Sequence, residues 1–223
     1  MTYFYYLIIF TLGSSIVSFL TVVAHDFPKI DLKRRSSCDN CHTILRWYEL
    51  IPILGFIFIE GKCSKCNTKV PLIYPVTELI GGMFFLTIII QNRNLYMIVP
   101  VALMLIFLSF MDHYYGYVYS LLYLISLPTY LYAYFHNYQL HLIIGFLVYS
   151  VLIALNRLYN NIGLGDVELI ALLAILFGLE DILKIILIAC LTCIFSFVTN
   201  KKRSFRFIPY LTISTGIIYL ISY

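Results

Sequence analysis

Long apolar runs recur along the whole chain, at roughly 3–24, 73–91, 95–111, 117–135, 139–157, 167–180, 182–199 and 207–223. A helix that crosses a bilayer needs about 20 mostly apolar residues, and about 17 at the short end. Seven of the runs come near that length, and the run at 167–180 falls short. Its span is expected to begin inside the preceding turn, Gly163-Leu164-Gly165-Asp166. Eight spans consume about 160 residues, which leaves 25–72 as the one polar stretch of any size and no room for a separate soluble domain. Composition agrees: 61% of residues are hydrophobic, 12% are charged, and mean hydropathy is +0.91. Soluble domains are about half apolar and about a quarter charged. The expected fold is an all-α polytopic membrane protein of about eight transmembrane helices. Its parts would be a first helix at 1–24, a polar loop at 25–72 and a transmembrane core at 73–223. The bilayer is its surroundings, and no nucleic-acid partner is expected.

The basic residues orient these spans. Eight of them, Lys29, Lys33, Arg34, Arg35, Arg46, Lys62, Lys65 and Lys69, lie in the first loop. Arg157 precedes the glycine turn, and Lys201, Lys202, Arg203 and Arg206 lie between the last two runs. With both termini outside and eight spans, all of these face the cytoplasm, and only Arg93 and Lys184 fall outside. That is the asymmetry of the positive-inside rule, so an N-out, C-out protein of the plasma membrane is expected. A cleaved signal peptide would carry positive charge ahead of its apolar core. Met1 to Leu12 carries none, so the first run reads as a retained span.

The polar loop contains Cys38-Asp39-Asn40-Cys41 and Cys63-Ser64-Lys65-Cys66. Two such pairs have zinc-ribbon spacing: each places two sulfurs on one tight turn, and two turns complete a tetrahedral thiolate site. A pair of disulfides is the competing reading. A cytoplasmic loop sits among free thiols, which favours a metal. Four thiolates leave no open coordination position, so the expected ion is a structural Zn rather than a catalytic one. Cys190 and Cys193 repeat the spacing inside an apolar run, where cysteine behaves as a small hydrophobe. Trp47 and Tyr48 suit a membrane interface. Glu78 follows Pro75 near the start of its span, where an acid suits the positive end of a helix. Glu78 and Glu49 carry either a substrate-binding or a structural role.

Ionisable side chains at the edge of a span are costly and mark functional sites. Asp112 closes the third run and Asp166 opens the sixth, so span counting brings both acids to the cytoplasmic face at similar depth. Gly163 and Gly165 permit unusual backbone angles and close approach of another segment. A lone Asp at a helix start is ordinarily an N-cap, but Asp112 on the same face needs its own explanation. Two neighbouring carboxylates share a proton, and the ionised one can activate water while the other donates to a peptide carbonyl. No G-x-S-x-G or H-E-x-x-H is present to support serine or zinc peptidase chemistry. Glu168, two residues beyond Asp166, points to another face of a helix. The alternative is a transporter, or a pilus or secretion assembly factor, with intramembrane acids. Transporters place such acids near the midplane on broken helices, and the sequence carries no evident internal repeat of spans.

In their order along the chain, these motifs resemble the type IV prepilin peptidases, the GxGD membrane aspartic peptidases of type IV pili. The matching residues are Ser18-Phe19-Leu20, the two C-x-x-C pairs, Trp47-Tyr48-Glu49 with Ile51-Pro52, Gly61-Lys62-Cys63, Tyr74-Pro75 with Glu78, Asp112, and Gly163-Leu164-Gly165-Asp166. The resemblance implies catalytic roles for Asp112 and Asp166. It further implies removal of a short basic leader from prepilins or pseudopilins at the cytoplasmic face, with competence pseudopilins as the substrates in Gram-positive bacteria. Many bacterial members also methylate the new N-terminus with S-adenosylmethionine, which makes that cofactor an expectation if the second activity is present. The chain departs from the family pattern at Thr21, usually Asn, at Asp39, usually Pro, and at Glu168, usually Lys. It also lacks the Pro-Asp usual near Tyr117.

Overall fold

The structure is a computed structural model describing residues 2–28, 31, 34–159, 163–200 and 206–222, without the side chains of Thr2 and Asn200. Of the orienting basic residues, Lys29, Lys33, Lys201, Lys202 and Arg203 lie outside the described residues. The secondary structure is helical, and the only strand-like pairings among the described residues are two isolated bridges, Ser37–Ile44 and Lys62–Lys69. Among the described residues, five helices are long and apolar enough to cross a membrane. The chain forms two compact units, Met1–Arg93 and Asn94–Tyr223.

In the first unit, α1 (Thr2–Asp26) packs along α3 (Ile73–Ile90). This closeness makes glycines necessary. A Cβ on Gly13 would lie 2.8 Å from Phe85, and one on Gly81 or Gly82 would collide with Val17 or Ser14. Small residues at such contacts let helix backbones meet without a driving force from water. The polar loop between these helices carries a 3₁₀ turn, Trp47–Leu50, and a short helix, α2 (Leu54–Phe58).

In the second unit, α4 (Leu95–Tyr115) ends on Gly116, whose φ of 72° is left-handed and whose N–H donates to the Asp112 carbonyl at 3.0 Å. A left-handed residue closing a helix satisfies carbonyls that would otherwise lack donors, and glycine adopts it without a Cβ penalty. The expected span over 117–135 is not one α-helix. It forms a 3₁₀ segment, Ser120–Ser126, followed by α5 (Leu127–Phe135). Pro128 accounts for where the α-helix begins, since proline fits the first turn of a helix and not its interior.

The next helix, α6 (Leu142–Tyr159), matches its expected run. The expected sixth and seventh spans instead share one helical run, α7 (Leu164–Asn200), interrupted at Gly178 with φ 73° and ψ −175°. An unbroken helix of that length would extend about 55 Å, against about 30 Å of hydrocarbon. The break at Gly178 divides it into two apolar segments. The last helix, α8 (Ile208–Ser222), is shorter than the run that predicts it. Leu108 and Met111 of α4, Leu169, Leu173 and Ile185 of α7, and Leu211 of α8 are fully buried in the core of this unit.

Candidate functional site

The cysteine loop is built from two copies of one turn. Both C-x-x-C pairs continue as Cys-x-Thr, in Cys41-His42-Thr43 and Cys66-Asn67-Thr68. In the first, the Cys38 N–H donates to the Thr43 carbonyl at 3.0 Å and the His42 N–H donates to the Cys38 carbonyl at 2.8 Å. In the second, Cys63 N–H donates to Thr68 at 2.9 Å and Asn67 N–H to Cys63 at 3.0 Å. His42 and Asn67 both take positive φ, at 54° and 56°, which turns the chain back past its cysteines. His42 is exposed and outside the sulfur cluster.

The turns face each other. Cys38 Sγ lies 3.7 Å from Cys66 Sγ, and Cys41 Sγ lies 3.8 Å from Cys63 Sγ. All four sulfurs fall within 4.8 Å of one another. Zinc–sulfur bonds of about 2.3 Å in a tetrahedron put sulfurs about 3.8 Å apart, so the donor set and its spacing fit a metal. These sulfurs are free thiols and far too distant for S–S bonds. Asn40 Nδ2 ties the turns together by donating to Thr68 Oγ1 at 2.9 Å.

The surroundings favour thiolate. Hydrogen bonding from the Thr68 side chain and backbone brings the Cys66 thiol down to about 6, and Thr43 lowers Cys41 likewise. Cys38 moves the other way. Backbone N–H groups of Cys41 and Asn40 favour its thiolate, but burial and the thiols of Cys63 and Cys41 together outweigh them and push it up to about 11. The fourth proton leaves easily only when a cation offsets the accumulating charge. Cys190 and Cys193 lie on α7 and take no part in this cluster.

Glu49 and Glu78 both brace the loop. Glu49 accepts from the Arg46 N–H at 2.7 Å and from Ser64 Oγ at 2.7 Å, joining the 3₁₀ turn to the second cysteine turn. Glu78, on α3, accepts from the Ile53 N–H at 2.8 Å. Ile53 has φ 63° and ψ −52°, and Leu54 N–H donates to the Pro52 carbonyl at 2.6 Å. This is a γ-turn of the rare, strained hand, unusual for a β-branched residue. Of the two roles open for these acids, bracing is the one their contacts display.

The two aspartates lie in the second unit. Asp112, in the last turn of α4, is 8% exposed, and its Oδ2 is buried without a hydrogen-bond partner among the described residues. The Ile208 backbone N–H reaches its carboxylate, and the charge of Arg206 acts on it. Asp166 occupies the first turn of α7 and is partly buried. It lies within electrostatic reach of Asp112. Because α7 begins at Leu164, Asp166 is inside the helix and does not serve as its N-cap.

Gly165 takes no left-handed φ, so left-handed backbone is not what the two glycines share. What the turn requires of them is room. A Cβ on Gly163 would stand 3.1 Å from Asp166 Oδ2, so the carboxylate folds back over the bare glycine. One on Gly165 would stand 3.2 Å from Val118 Cβ, where the chain leaving α4 crosses the turn. Glu168 accepts from Ser120 Oγ at 3.3 Å, on that same crossing segment. Sequence reasoning overlooks Val118, Ser120 and Tyr123, which carry no motif. It also overlooks Thr43 and Thr68, although the repeated C-x-x-C-x-T signals them.

Both regions have counterparts in known proteins. The bacterial peptidase A24 N-terminal domain matches residues 11–92, which include all four clustered cysteines. The type IV leader peptidase family matches residues 99–198, which include both aspartates. A prepilin leader peptidase/N-methyltransferase of Bacillus subtilis is 29% identical over 66% of this chain and 62% of its own length. Proteins of the same name from Myxococcus xanthus and Vibrio cholerae are 32% and 38% identical, over 47% and 33% of this chain and 32% and 34% of theirs. The chain thus spans about a third of the length of those two relatives and under two thirds of the first. No solved structure matches the chain. With an N-terminal domain carrying the cysteine turns and a second domain carrying the two acids, matched in the same order by family models, this multi-pass membrane protein belongs to the type IV leader peptidase family.

Proposed function

We propose that the chain is a membrane aspartic endopeptidase that removes basic leader peptides from type IV prepilins or pseudopilins, with Asp112 and Asp166 as its catalytic acids. The observation that carries this reading is the buried Oδ2 of Asp112, without a hydrogen-bond partner among the described residues and within electrostatic reach of Asp166. A buried carboxylate oxygen without a donor is expensive unless function retains it.

The chemistry follows from two acids sharing one proton. The ionised carboxylate takes a proton from a water molecule as that water's oxygen attacks the scissile carbonyl carbon. The protonated carboxyl donates to the carbonyl oxygen. Collapse of the gem-diol breaks the C–N bond as one of its hydroxyl protons returns to the second acid and the proton held by the first acid passes to the leaving amine. No metal enters any step. Gly163 leaves space for the Asp166 carboxylate to swing over the turn, and the segment after α4 holds that turn in place.

In this reading the spans are eight: α1, α3, α4, the 120–135 segment, α6, the two halves of α7, and α8. Both termini then lie outside and both acids at the cytoplasmic face. A basic leader follows the same positive-inside rule, which brings its scissile bond to that face. Cys38, Cys41, Cys63 and Cys66 would hold one structural Zn that closes the loop and supplies no reacting group. The relatives' names also include N-methyltransferase. No set of side chains among the described residues marks a cradle for S-adenosylmethionine.

Co-expression with a prepilin-type precursor tests the assignment by gel mobility. Wild type is expected to shorten the precursor, while Asp112→Asn and Asp166→Asn each leave it at full length with normal membrane levels. Full processing by either variant removes that acid from the mechanism.

A further inference from the structure

The acids lie far apart in sequence, and the segment that follows α4 joins their surroundings. From Asp112 the chain passes the left-handed Gly116, crosses Gly165 at Val118, and then lies along the start of α7. Three side chains fasten it there. Ser120 Oγ donates to Glu168 at 3.3 Å, Tyr123 Oη donates to the Gly165 carbonyl at 3.0 Å, and Tyr130 Oη donates to the Leu172 carbonyl at 2.9 Å. Tyr123 and Tyr130 are seven residues apart, as are their acceptors Gly165 and Leu172. Segment and helix therefore run side by side in one direction, in fixed register.

Of these fastenings, only Tyr123 reaches the glycine turn itself. Its acceptor is the residue before Asp166, and its hydroxyl lies where the Asp166 charge and the Glu168 carboxylate are both felt. A Cβ on Gly165 would stand 3.8 Å from this hydroxyl, an ordinary van der Waals distance, so it is Val118 at 3.2 Å and not Tyr123 that crowds this position.

We propose that Tyr123 is a positioning residue: its hydroxyl pins the peptide ahead of Asp166 and so sets the separation of the two acids. This rests on the peptidase reading above. The tyrosine touches no reacting atom. It acts through Gly165, and small errors in placing a catalytic group are costly to rate. Tyr130 supplies the matching bond two turns along the helix, away from the acids, and serves as an internal control.

The test uses the purified full chain in detergent with a prepilin-type precursor carrying a lysine-rich leader and an apolar N-terminal helix. Tyr123→Phe keeps the ring and removes the hydroxyl, with its bond to the Gly165 carbonyl and its interaction with Glu168, and kcat is expected to fall about five- to tenfold with KM unchanged. Tyr130→Phe removes a bond of the same kind and is expected to keep the wild-type kcat. Wild-type kcat in Tyr123→Phe overturns the inference. So does an equal fall in Tyr130→Phe, or a rise in KM that accounts for the loss, because either indicates a merely structural bond. Asp166→Asn, run in parallel, separates the two claims. If it still cleaves, the peptidase assignment fails and the inference fails with it. If it is inactive while Tyr123→Phe matches wild type, the inference alone fails.

Discussion

The four cysteines and the two aspartates are both groups of like charge brought together, and the chain assembles them in different ways. Each cysteine turn is complete within a six-residue Cys-x-x-Cys-x-Thr stretch, whose own backbone hydrogen bonds aim both sulfurs. Two such stretches then need only to face each other, and Asn40 to Thr68 ties them. The aspartates, at positions 112 and 166, have no such local frame. Asp112 is placed by the end of α4 and the start of α8, and Asp166 by a glycine turn crossed by a segment from elsewhere. A site built from local turns needs a cation to offset its charge. A site built from helix ends can hold a carboxylate oxygen buried without a partner, as Asp112 Oδ2 is among the described residues, because the surrounding packing carries the cost. The first arrangement suits a structural centre and the second a reactive one.

This contrast predicts unequal responses to mutation. The largest effect belongs to the loop. Replacing Cys38 and Cys63 by Ser should take bound zinc from about one ion per chain to none. Structural zinc contributes about 10–16 kcal/mol of apparent binding free energy in small zinc-binding peptides, so hydrogen exchange should show residues 36–70 losing protection. The helices of 94–223 should keep theirs. Equal loss in both units would mean that the loop is not the self-contained structure its turns describe.

Much of the loop was legible because its geometry is short-range. C-x-x-C spacing announces the turn, and the repeated threonine adds the hydroxyl beside Cys41 and Cys66. The strained turn at Ile53 was not legible, since nothing in Ile-Pro-Ile announces a left-handed isoleucine held by a glutamate 25 residues away. The acids were legible as the close of one apolar run and the opening of another, and α4 and α7 carry them at those ends. The 117–135 run illustrates the limit. Hydropathy reports that a segment is apolar, but Pro128 and the fastening to α7 decide that it begins as a 3₁₀ segment. Tyr123 was invisible for a related reason. It is one of 20 tyrosines, and only the fold singles out its hydroxyl.

Smaller effects sharpen the comparison. Glu78→Ala leaves the Ile53 N–H without its acceptor and should cost about 1–3 kcal/mol, whereas Glu78→Gln keeps a carbonyl there and should cost under about 1 kcal/mol. Thermal unfolding in detergent reads both. If Glu78→Gln instead weakens substrate binding at unchanged Tm, the glutamate serves the substrate and not the turn. At the lower end of the Glu78→Ala range lies Gly165→Ala. Its Cβ would press on Val118 at 3.2 Å, and overpacking of this size should cost about 1 kcal/mol. Because it displaces the Asp166 turn, cleavage should fall more than stability does.

The central claim is that the aspartates do the chemistry while the cysteines hold structure. Mass spectrometry of a prepilin-type precursor, incubated with purified wild-type protein or with Asp112→Asn or Asp166→Asn variants that retain full zinc content, addresses it directly. Wild type should give a single cleavage after the basic leader, and neither zinc-replete variant should give product. Cleavage by a variant lacking one carboxylate, at the same bond and a comparable rate, would contradict the claim.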